Sequence, residues 1–136
     1  HLFAAAEHNL DTNKFAVRSS LQDTARRTFK HNCIQTATSS TLADRFYKPG
    51  GTMIMAQGDV VGRIKDRGSD SLGRWSWIKL VGRNQRLVTL ISAYQVCLHP
   101  TNRTGTTAYH QQESLLRQRG INKAKPRKLF RRDLQE

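Results

Sequence analysis

The sequence predicts an α/β fold in which a run of antiparallel strands lies between helices. Three observations support this prediction: one segment with apolar residues at helical spacing, a following series of short strand-like segments, and two later segments bounded by residues that start or end helices. The links between the central strands are short and rich in turn residues: Gly58-Asp59, Arg67–Asp70 and Gly82–Gln85. Because none could hold a crossover helix, neighbouring strands should pair antiparallel.

The first predicted elements are a short apolar strand and a helix. Residues 2–6 (Leu-Phe-Ala-Ala-Ala) are apolar and stop at Glu7, as at the end of a buried strand that delivers a polar side chain to a sheet edge. Apolar side chains then recur at every fourth residue from Val17 to Phe29. This spacing predicts one face of a helix from about Lys14 to Lys30.

Five strands are predicted after this helix. The first is rich in Thr, Ser and Ile, and the turn Lys48-Pro49-Gly50-Gly51 separates it from the other four. The five predicted strands are Cys33–Ser40, Thr52–Gln57, Val60–Lys65, Arg74–Val81 and Leu87–Val96.

Two helices are predicted in the C-terminal part of the chain. The first runs from about Thr106 to Gln118 and ends at Gly120, a residue type that commonly terminates helices. The second begins near Pro126, since proline is favoured in a first helical turn, and continues into Glu136.

The two tryptophans, Trp75 and Trp77, share one face of the predicted strand Arg74–Val81. They are candidates for stacking platforms under nucleic-acid bases. The alternative, which the usual burial of tryptophan favours, is that they pack on the sheet.

The charge balance is the most informative bulk property. The chain has 23 Lys and Arg against 10 Asp and Glu, a net charge of +13. Like charge of this size repels itself unless a polyanion offsets the field, and phosphate backbones are the commonest such polyanion. The composition therefore indicates nucleic acid as the partner. It does not distinguish DNA from RNA, of which we favour DNA.

A basic C-terminal segment, residues 117–136, contains the strongest concentration of this charge. We expect phosphate contacts without base recognition from eight of its side chains. They are Arg117, Arg119, Lys123, Lys125, Arg127, Lys128, Arg131 and Arg132. The alternative is a solvated helix face, and the charge pattern leaves both interpretations open.

A membrane span is not expected. The longest apolar stretch, Leu87–Tyr94, is far too short to cross a bilayer, and no signal peptide is visible. We therefore expect an intracellular location, nuclear or cytoplasmic. The two cysteines, Cys33 and Cys97, are expected to be buried free thiols rather than a disulfide.

Two single residues are candidates for chemistry. Glu7 follows an apolar run, which is usual for a solvated strand end but also suits a ligand of a hard metal ion. Tyr94 ends the most apolar strand, where active-site side chains are often displayed. Its alternative role is a packed tyrosine whose hydroxyl is hydrogen bonded. The sequence around each residue does not by itself distinguish between its two roles.

Several segments, in fixed order, resemble the endonuclease/exonuclease/phosphatase superfamily, and in particular the endonuclease domains of non-LTR retrotransposons. Ala6–Leu10 (Ala-Glu-His-Asn-Leu) resembles the Gln-Glu-Thr-Asn-Leu that ends an early strand, and Ser92–Val96 resembles a Thr-Ala-Tyr strand end. The other resembling segments are Tyr47–Thr52, Leu72–Ile78 and Thr106–Gln112.

This resemblance implies a two-sheet α/β sandwich that hydrolyses phosphodiesters with Mg²⁺. It implies that Glu7 is the Mg²⁺-binding glutamate and that Tyr94 contacts the scissile phosphate region. The reaction would be attack by an activated water, with the metal stabilising charge on the phosphate.

The departures from the family pattern limit this expectation. An asparagine on a strand before the glutamate, a Gly-Asp-x-Asn motif and a terminal Ser-Asp-His do not occur in this sequence, and Ala6 and His8 replace the residues beside the glutamate. One ligand and one tyrosine cannot hold Mg²⁺ tightly or activate water. We therefore interpret residues 1–136 as a single partial domain, without its first strand and C-terminal half, that is inactive alone.

Two functional hypotheses follow. The first is a fragment of a Mg²⁺-dependent endonuclease domain. The second is a non-catalytic basic subunit of a larger complex, with a nucleic-acid-binding or structural role. In either case we expect the second sheet to be largely missing, which would leave an apolar inner face for a missing half-domain or another protein chain.

Overall fold

The computed structural model describes residues 1–41, 47–97, 107–123 and 125–135. The strands in these residues are β1 (Leu2–Ala6), β2 (Asn32–Ala37), β3 (Thr52–Gln57), β4 (Ile64–Ser69), β5 (Trp75–Val81) and β6 (Leu87–Ala93). The helices are α1 (Phe15–Thr28), α2 (Ala108–Gln118) and α3 (Pro126–Gln135).

The strands form two antiparallel three-stranded sheets. The first sheet has the order β1-β3-β2, and the second has the order β4-β5-β6. They pack face to face, with β3 of one sheet over β5 and β6 of the other and with β1 beside β6. The predicted α/β class with antiparallel strands in two layers is therefore confirmed.

The core between the sheets follows the two-residue period of its strands. Ile54 and Ala56 on β3 face Ile78 on β5, and all three side chains are almost completely buried. At one end of this core the Thr52 hydroxyl donates to the Ser76 hydroxyl at 3.2 Å. Alternate residues point inward because successive side chains of a strand project to opposite faces.

The predicted strand Val60–Lys65 is wrong. Residues Gly58–Arg63 form a short 3-10 helix, and the strand begins only at Ile64. Gly58 turns the chain with a φ of +69°, and Val60 then packs against the core between the sheets. Val60 and Val61 are thus half-buried in a helical turn, and the chain crosses here from the first sheet to the second. β3 and β4 are consequently not paired neighbours.

The predicted turn Arg67–Asp70 is also wrong in part, because β4 extends through Ser69. Gly68 lies directly under the indole of Trp77, and a Cβ atom on this glycine would come within 2.6 Å of the ring. The glycine therefore marks close packing within the sheet and not a turn.

The expectation of a largely missing second sheet is wrong, because each sheet has three strands and their inner faces cover each other. Exposed apolar side chains lie instead on the neighbouring edge strands, Leu2 and Phe3 on β1 and Val88 and Ile91 on β6.

Helix boundaries agree with the prediction to within a few residues. The apolar face of α1 points inward, with Ala25 buried and Val17 and Leu21 half-buried. α2 ends before Gly120, whose φ of +84° allows the chain to reverse direction. Thr106 and Glu136, the predicted outer limits of the last two helices, lie outside the described residues.

The last two helices close a second, smaller core. Leu115 and Leu116 of α2 pack with Leu72 from the β4–β5 connection, and Leu129 of α3 lies against this cluster. Phe130 meets the ring of Trp75 edge to face, with 5.7 Å between ring centroids. Because Trp75 belongs to β5 and Phe130 to α3, this contact packs α3 on the second sheet.

None of the helices in the described part of the chain is long and apolar enough to cross a membrane. Cys33 and Cys97 are free thiols, as predicted. Cys33 is half-buried and Cys97 is exposed, so the expectation of burial is wrong for Cys97.

Candidate functional site

Glu7 and Tyr94, the two residues singled out from the sequence, are in direct contact. The Tyr94 hydroxyl donates a hydrogen bond of 3.0 Å to Oε1 of Glu7, across 87 residues of sequence. Glu7 directly follows β1 and Tyr94 directly follows β6, the adjacent edge strands of the two sheets. The Ser92 hydroxyl fixes the same two edges by donating to the Ala5 carbonyl at 2.9 Å.

The backbone on either side of His8 is in the left-handed region, with a φ of 59° at Glu7 and of 60° at Asn9. Both residues are held there by the Gly50-Gly51 turn. The Glu7 N–H donates to the Gly51 carbonyl at 2.7 Å, and the Asn9 N–H donates to the Gly50 carbonyl at 3.0 Å. Left-handed geometry at non-glycine residues is unfavourable and is concentrated at functional sites.

The two glycines of this turn allow close approach to the site. A Cβ atom on Gly51 would come within 2.5 Å of His8 Cε1, and one on Gly50 would lie 3.5 Å from Tyr94 Cε1. Both glycines also have a positive φ, of 88° at Gly50 and 85° at Gly51. Sequence analysis identified the turn but not its contact with the site, since nothing local indicates which side chains will pack on it.

His8 is a member of the site that sequence analysis did not identify. Its Nδ1 accepts the Leu10 N–H at 3.0 Å, so the neutral ring carries its proton on Nε2. Nε2 is buried and has no hydrogen-bond partner among the described residues. Burial lowers the pKa of His8, although the nearby backbone of Thr52 and Ala37 opposes this. The imidazole is therefore neutral near pH 7.

Tyr94 is half-buried, and this burial raises the pKa of its hydroxyl. The carboxylate of Glu7 raises this pKa further, through the hydrogen bond and through its negative charge. Tyr94 therefore stays protonated at physiological pH and acts as a hydrogen-bond donor. Glu7 itself is exposed, so its second oxygen is accessible to a ligand.

The donor set around Glu7 is too small for Mg²⁺, the ion that the resemblance implies. No group of three or more His, Cys, Asp or Glu side chains within the described ranges could hold a metal ion. Mg²⁺ needs near-octahedral oxygen coordination, for which Glu7 supplies a single carboxylate. The described residues thus do not fit a complete Mg²⁺ site, and Glu7 could serve only as one ligand among several.

A buried lysine, Lys48, connects the segments that lie next to the site. The side chain of Lys48 is completely buried and its Nζ lies 3.5 Å from Oδ1 of Asp11. Nζ also donates to the carbonyls of Ser39 and Thr41. Burial lowers the pKa of Lys48, and Asp11 opposes this shift. Sequence analysis placed Lys48 only in a turn, because nothing local predicts that a lysine will be buried.

Four of the eight predicted phosphate contacts are engaged within the protein. Arg117 pairs with Glu113 at 3.1 Å, and Arg132 pairs with Asp133 at 2.7 Å. Arg119 donates to the Ser71 hydroxyl at 2.7 Å and Arg127 donates to Gln95 Oε1 at 3.2 Å.

The other four are exposed, and their side chains have no hydrogen bond or ion pair with another described residue: Lys123, Lys125, Lys128 and Arg131. Lys125, Lys128 and Arg131 follow one another at intervals of three residues at the start and along one side of α3. Side chains at this spacing are neighbours on a helix surface, so they form a continuous basic stripe.

α3 is anchored by a buried guanidinium. Arg74 binds Asp70 and Asp133, with a distance of 2.7 Å to each carboxylate. Although burial alone would lower it, the pKa of Arg74 is raised by these two carboxylates. The ion pairs connect α3 to the β4–β5 hairpin and hold the basic stripe in a fixed orientation.

Comparison of the chain with protein-family models, with curated proteins and with solved structures gives no match. The function of the chain is therefore inferred from the quoted sequence segments and from the geometry of the described residues.

Proposed function

We propose that this chain is the nucleic-acid-binding part of a Mg²⁺-dependent phosphodiesterase domain of the endonuclease type, and that alone it does not cleave nucleic acid efficiently. The observation that supports this proposal is the 3.0 Å hydrogen bond from Tyr94 to Glu7. These are the two residues to which the family resemblance assigns contact with the phosphate and the metal.

The chemistry available to this pair is limited. Tyr94 is a protonated donor and could transfer its hydrogen bond from Glu7 to a phosphate oxygen. Glu7 would then offer both carboxylate oxygens. Hydrolysis also needs a group that activates water and further groups that neutralise the charge of the transition state. Glu7 and Tyr94 supply neither, so in this proposal cleavage requires groups from outside this chain.

A second candidate function is a non-catalytic basic subunit that binds nucleic acid or has a structural role in a larger complex. The observation that favours it is the stripe formed by Lys125, Lys128 and Arg131. A row of cations without partners among the described residues can follow a phosphate backbone without reading bases. This function requires the stripe but has no use for the Glu7–Tyr94 pair.

Nicking of supercoiled plasmid tests the first proposal. The purified chain is incubated with plasmid in Mg²⁺ and in EDTA, beside a Glu7→Gln, Tyr94→Phe double variant. We expect retarded migration from DNA binding, without nicking, for both proteins. Nicking that needs Mg²⁺ and disappears in the variant would mean that the chain completes its own active site, for example by dimerisation.

NMR line broadening by Mn²⁺ distinguishes the two proposed functions. This paramagnetic substitute for Mg²⁺ broadens the NMR signals of residues near its binding site. In complexes with a short DNA duplex, the endonuclease proposal predicts broadening centred on Glu7 that is lost in Glu7→Gln but kept in Glu113→Gln. Broadening that is identical in both variants would leave the non-catalytic subunit as the better explanation.

A further inference from the structure

A concave surface lies at the end of the sandwich opposite Glu7 and Tyr94. It is a cavity of about 720 Å³ between the end of α1, the start of β2 and the 3-10 helix Gly58–Arg63. The lining residues that bear on its chemistry are Phe29, Lys30, His31, Asp59, Val60 and Arg63. Its volume lies within the range of roughly 300–1,000 Å³ that is usual for small-molecule sites.

This cavity is separate from Glu7 and Tyr94. In the first sheet Leu2 pairs with Ala56 and Ala6 pairs with Thr52, so Gln57 and Glu7 lie at opposite ends of β1. Five strand residues span about 17 Å at roughly 3.3 Å per residue. A ligand in the cavity therefore cannot touch the Glu7–Tyr94 pair unless it is a polymer.

The cavity combines an apolar wall with unpaired cations. Phe29 and Val60 are half-buried, which gives the wall an aromatic ring and a branched aliphatic side chain. Lys30 and Arg63 are exposed at the rim, and within the described part of the chain their side chains have no ion pair or hydrogen bond. An aromatic ring can stack on a base, and a guanidinium or ammonium group can bind phosphate oxygens.

The acidic residue of the lining, Asp59, narrows the class of ligand. Its carboxylate would repel a bare phosphate ion, but it could accept hydrogen bonds from a ribose hydroxyl or from the amino group of a base. We propose that this cavity binds a nucleotide, with the base against Phe29, the phosphate on Lys30 and Arg63, and a donor group of the ligand on Asp59. This inference is independent of the proposed function of Glu7 and Tyr94.

The nucleotide could be a free mononucleotide or one residue of a single strand, since both carry the same groups. NMR titration of the full chain with adenosine monophosphate, with inorganic phosphate and with a short adenosine oligonucleotide separates these sources. The test variant is Lys30→Gln, Arg63→Gln. The matched control is Arg18→Gln, Arg86→Gln, which removes the same charge from exposed side chains that do not line the cavity. Phe29→Leu removes the ring and keeps an apolar side chain.

We expect saturable shifts in the amides of residues 29–31 and 57–63. Loss of two charge-assisted contacts should weaken binding roughly tenfold in the Lys30, Arg63 variant. Loss of stacking should weaken it about fivefold in Phe29→Leu, with no change in the control. Shifts with the monophosphate support a free nucleotide, and the same variant pattern with the oligonucleotide alone supports a nucleotide within a strand.

Three results would overturn the proposal. One is binding of inorganic phosphate with the affinity of the monophosphate. The second is equal binding by the wild type and the Lys30, Arg63 variant. The third is the absence of shifts at the cavity with every ligand. Because Lys30 and Arg63 are exposed, both charge variants are expected to keep the folded spectrum, and that spectrum is recorded before each titration.

Discussion

The Tyr94 hydroxyl donates a hydrogen bond to the carboxylate of Glu7, and this single hydrogen bond joins the ends of two edge strands from different sheets. The two residues are brought together only by the packing of the sheets, because each lies at the end of its own strand. A change to this hydrogen bond should therefore affect both the stability of the fold and the candidate site.

Tyr94→Phe should destabilise the chain by about 0.5–1.5 kcal/mol, the net contribution of one hydrogen bond. Glu7→Gln should cost less, because the amide oxygen can still accept from Tyr94. Urea unfolding of both variants measures the difference, with Tyr47→Phe at an exposed position as the control. A larger loss in Glu7→Gln than in Tyr94→Phe would mean that the negative charge of Glu7, and not the hydrogen bond, stabilises the fold.

Gly51→Ala should destabilise the chain by more than about 1 kcal/mol, since the new methyl group meets a left-handed backbone and the His8 ring. The Cβ atom of the alanine would lie only 2.5 Å from His8 Cε1. Gly62→Ala is the matched control, because a Cβ atom there has open space and no positive φ. Thermal unfolding of the two variants should differ clearly, and equal melting temperatures would show that His8 moves away without cost.

Arg74→Met should destabilise the chain by roughly 3–5 kcal/mol, because it leaves the carboxylates of Asp70 and Asp133 without their shared partner. Arg117→Met removes an ion pair in which the arginine side chain is 61% exposed, and it should cost less than about 1 kcal/mol. Denaturant titration of both variants provides the comparison. A small effect at Arg74 would mean that water replaces the guanidinium without loss of packing by α3.

The lowered pKa of His8 predicts a loss of stability in mild acid. The unfolded chain takes up a proton at His8 near pH 6.5, whereas the folded chain takes it up only at lower pH. The stabilisation is complete above about pH 6.5 and is lost as the pH falls through the folded pKa. His8→Asn, which keeps an acceptor for the Leu10 N–H, should reduce this dependence, and exposed His31→Asn should not. Identical unfolding profiles from about pH 5 to pH 8, a range set by the ordinary histidine pKa, would contradict the assignment.

The basic stripe predicts the salt dependence of nucleic-acid binding. Lys128→Gln, Arg131→Gln should lower the slope of log K against log salt by about 2, one unit for each phosphate contact. Arg117→Gln, Arg132→Gln removes equal charge from side chains that already have acidic partners and should change the slope less. Fluorescence anisotropy with a labelled duplex at several salt concentrations measures both. Equal slopes for the two variants would place the phosphate contacts elsewhere on the chain.

Local patterns were sufficient for most of the fold. The four-residue spacing from Val17 to Phe29 predicted the buried face of α1, and the alternation along Arg74–Val81 predicted that Trp75 and Trp77 share one face of β5. The pattern failed at Val60, because a β-branched apolar run can be buried equally well as a strand or as a helical turn. Whether the run becomes a strand or a helical turn depends on the core against which it packs. That core includes residues from other strands.

The candidate site was predictable only in part. The order of sequence segments pointed to Glu7 and Tyr94, and both lie together. The contact of His8 with Gly51 and the burial of Lys48 had no local signal, since each depends on segments about 40 residues apart or on the loss of water from a charged group. Long-range packing of this kind leaves no periodicity in the sequence.

The exposed apolar residues of the neighbouring edges β1 and β6 have a practical consequence for handling the protein. Unpaired edge strands with apolar side chains tend to join with those of other molecules, and the net charge of +13 opposes this by mutual repulsion. If the chain binds nucleic acid as proposed, added salt screens that repulsion at the same concentrations at which it releases the nucleic acid. Under this proposal, stripping nucleic acid from the chain during purification also removes its protection against self-association, so high salt should be paired with low protein concentration.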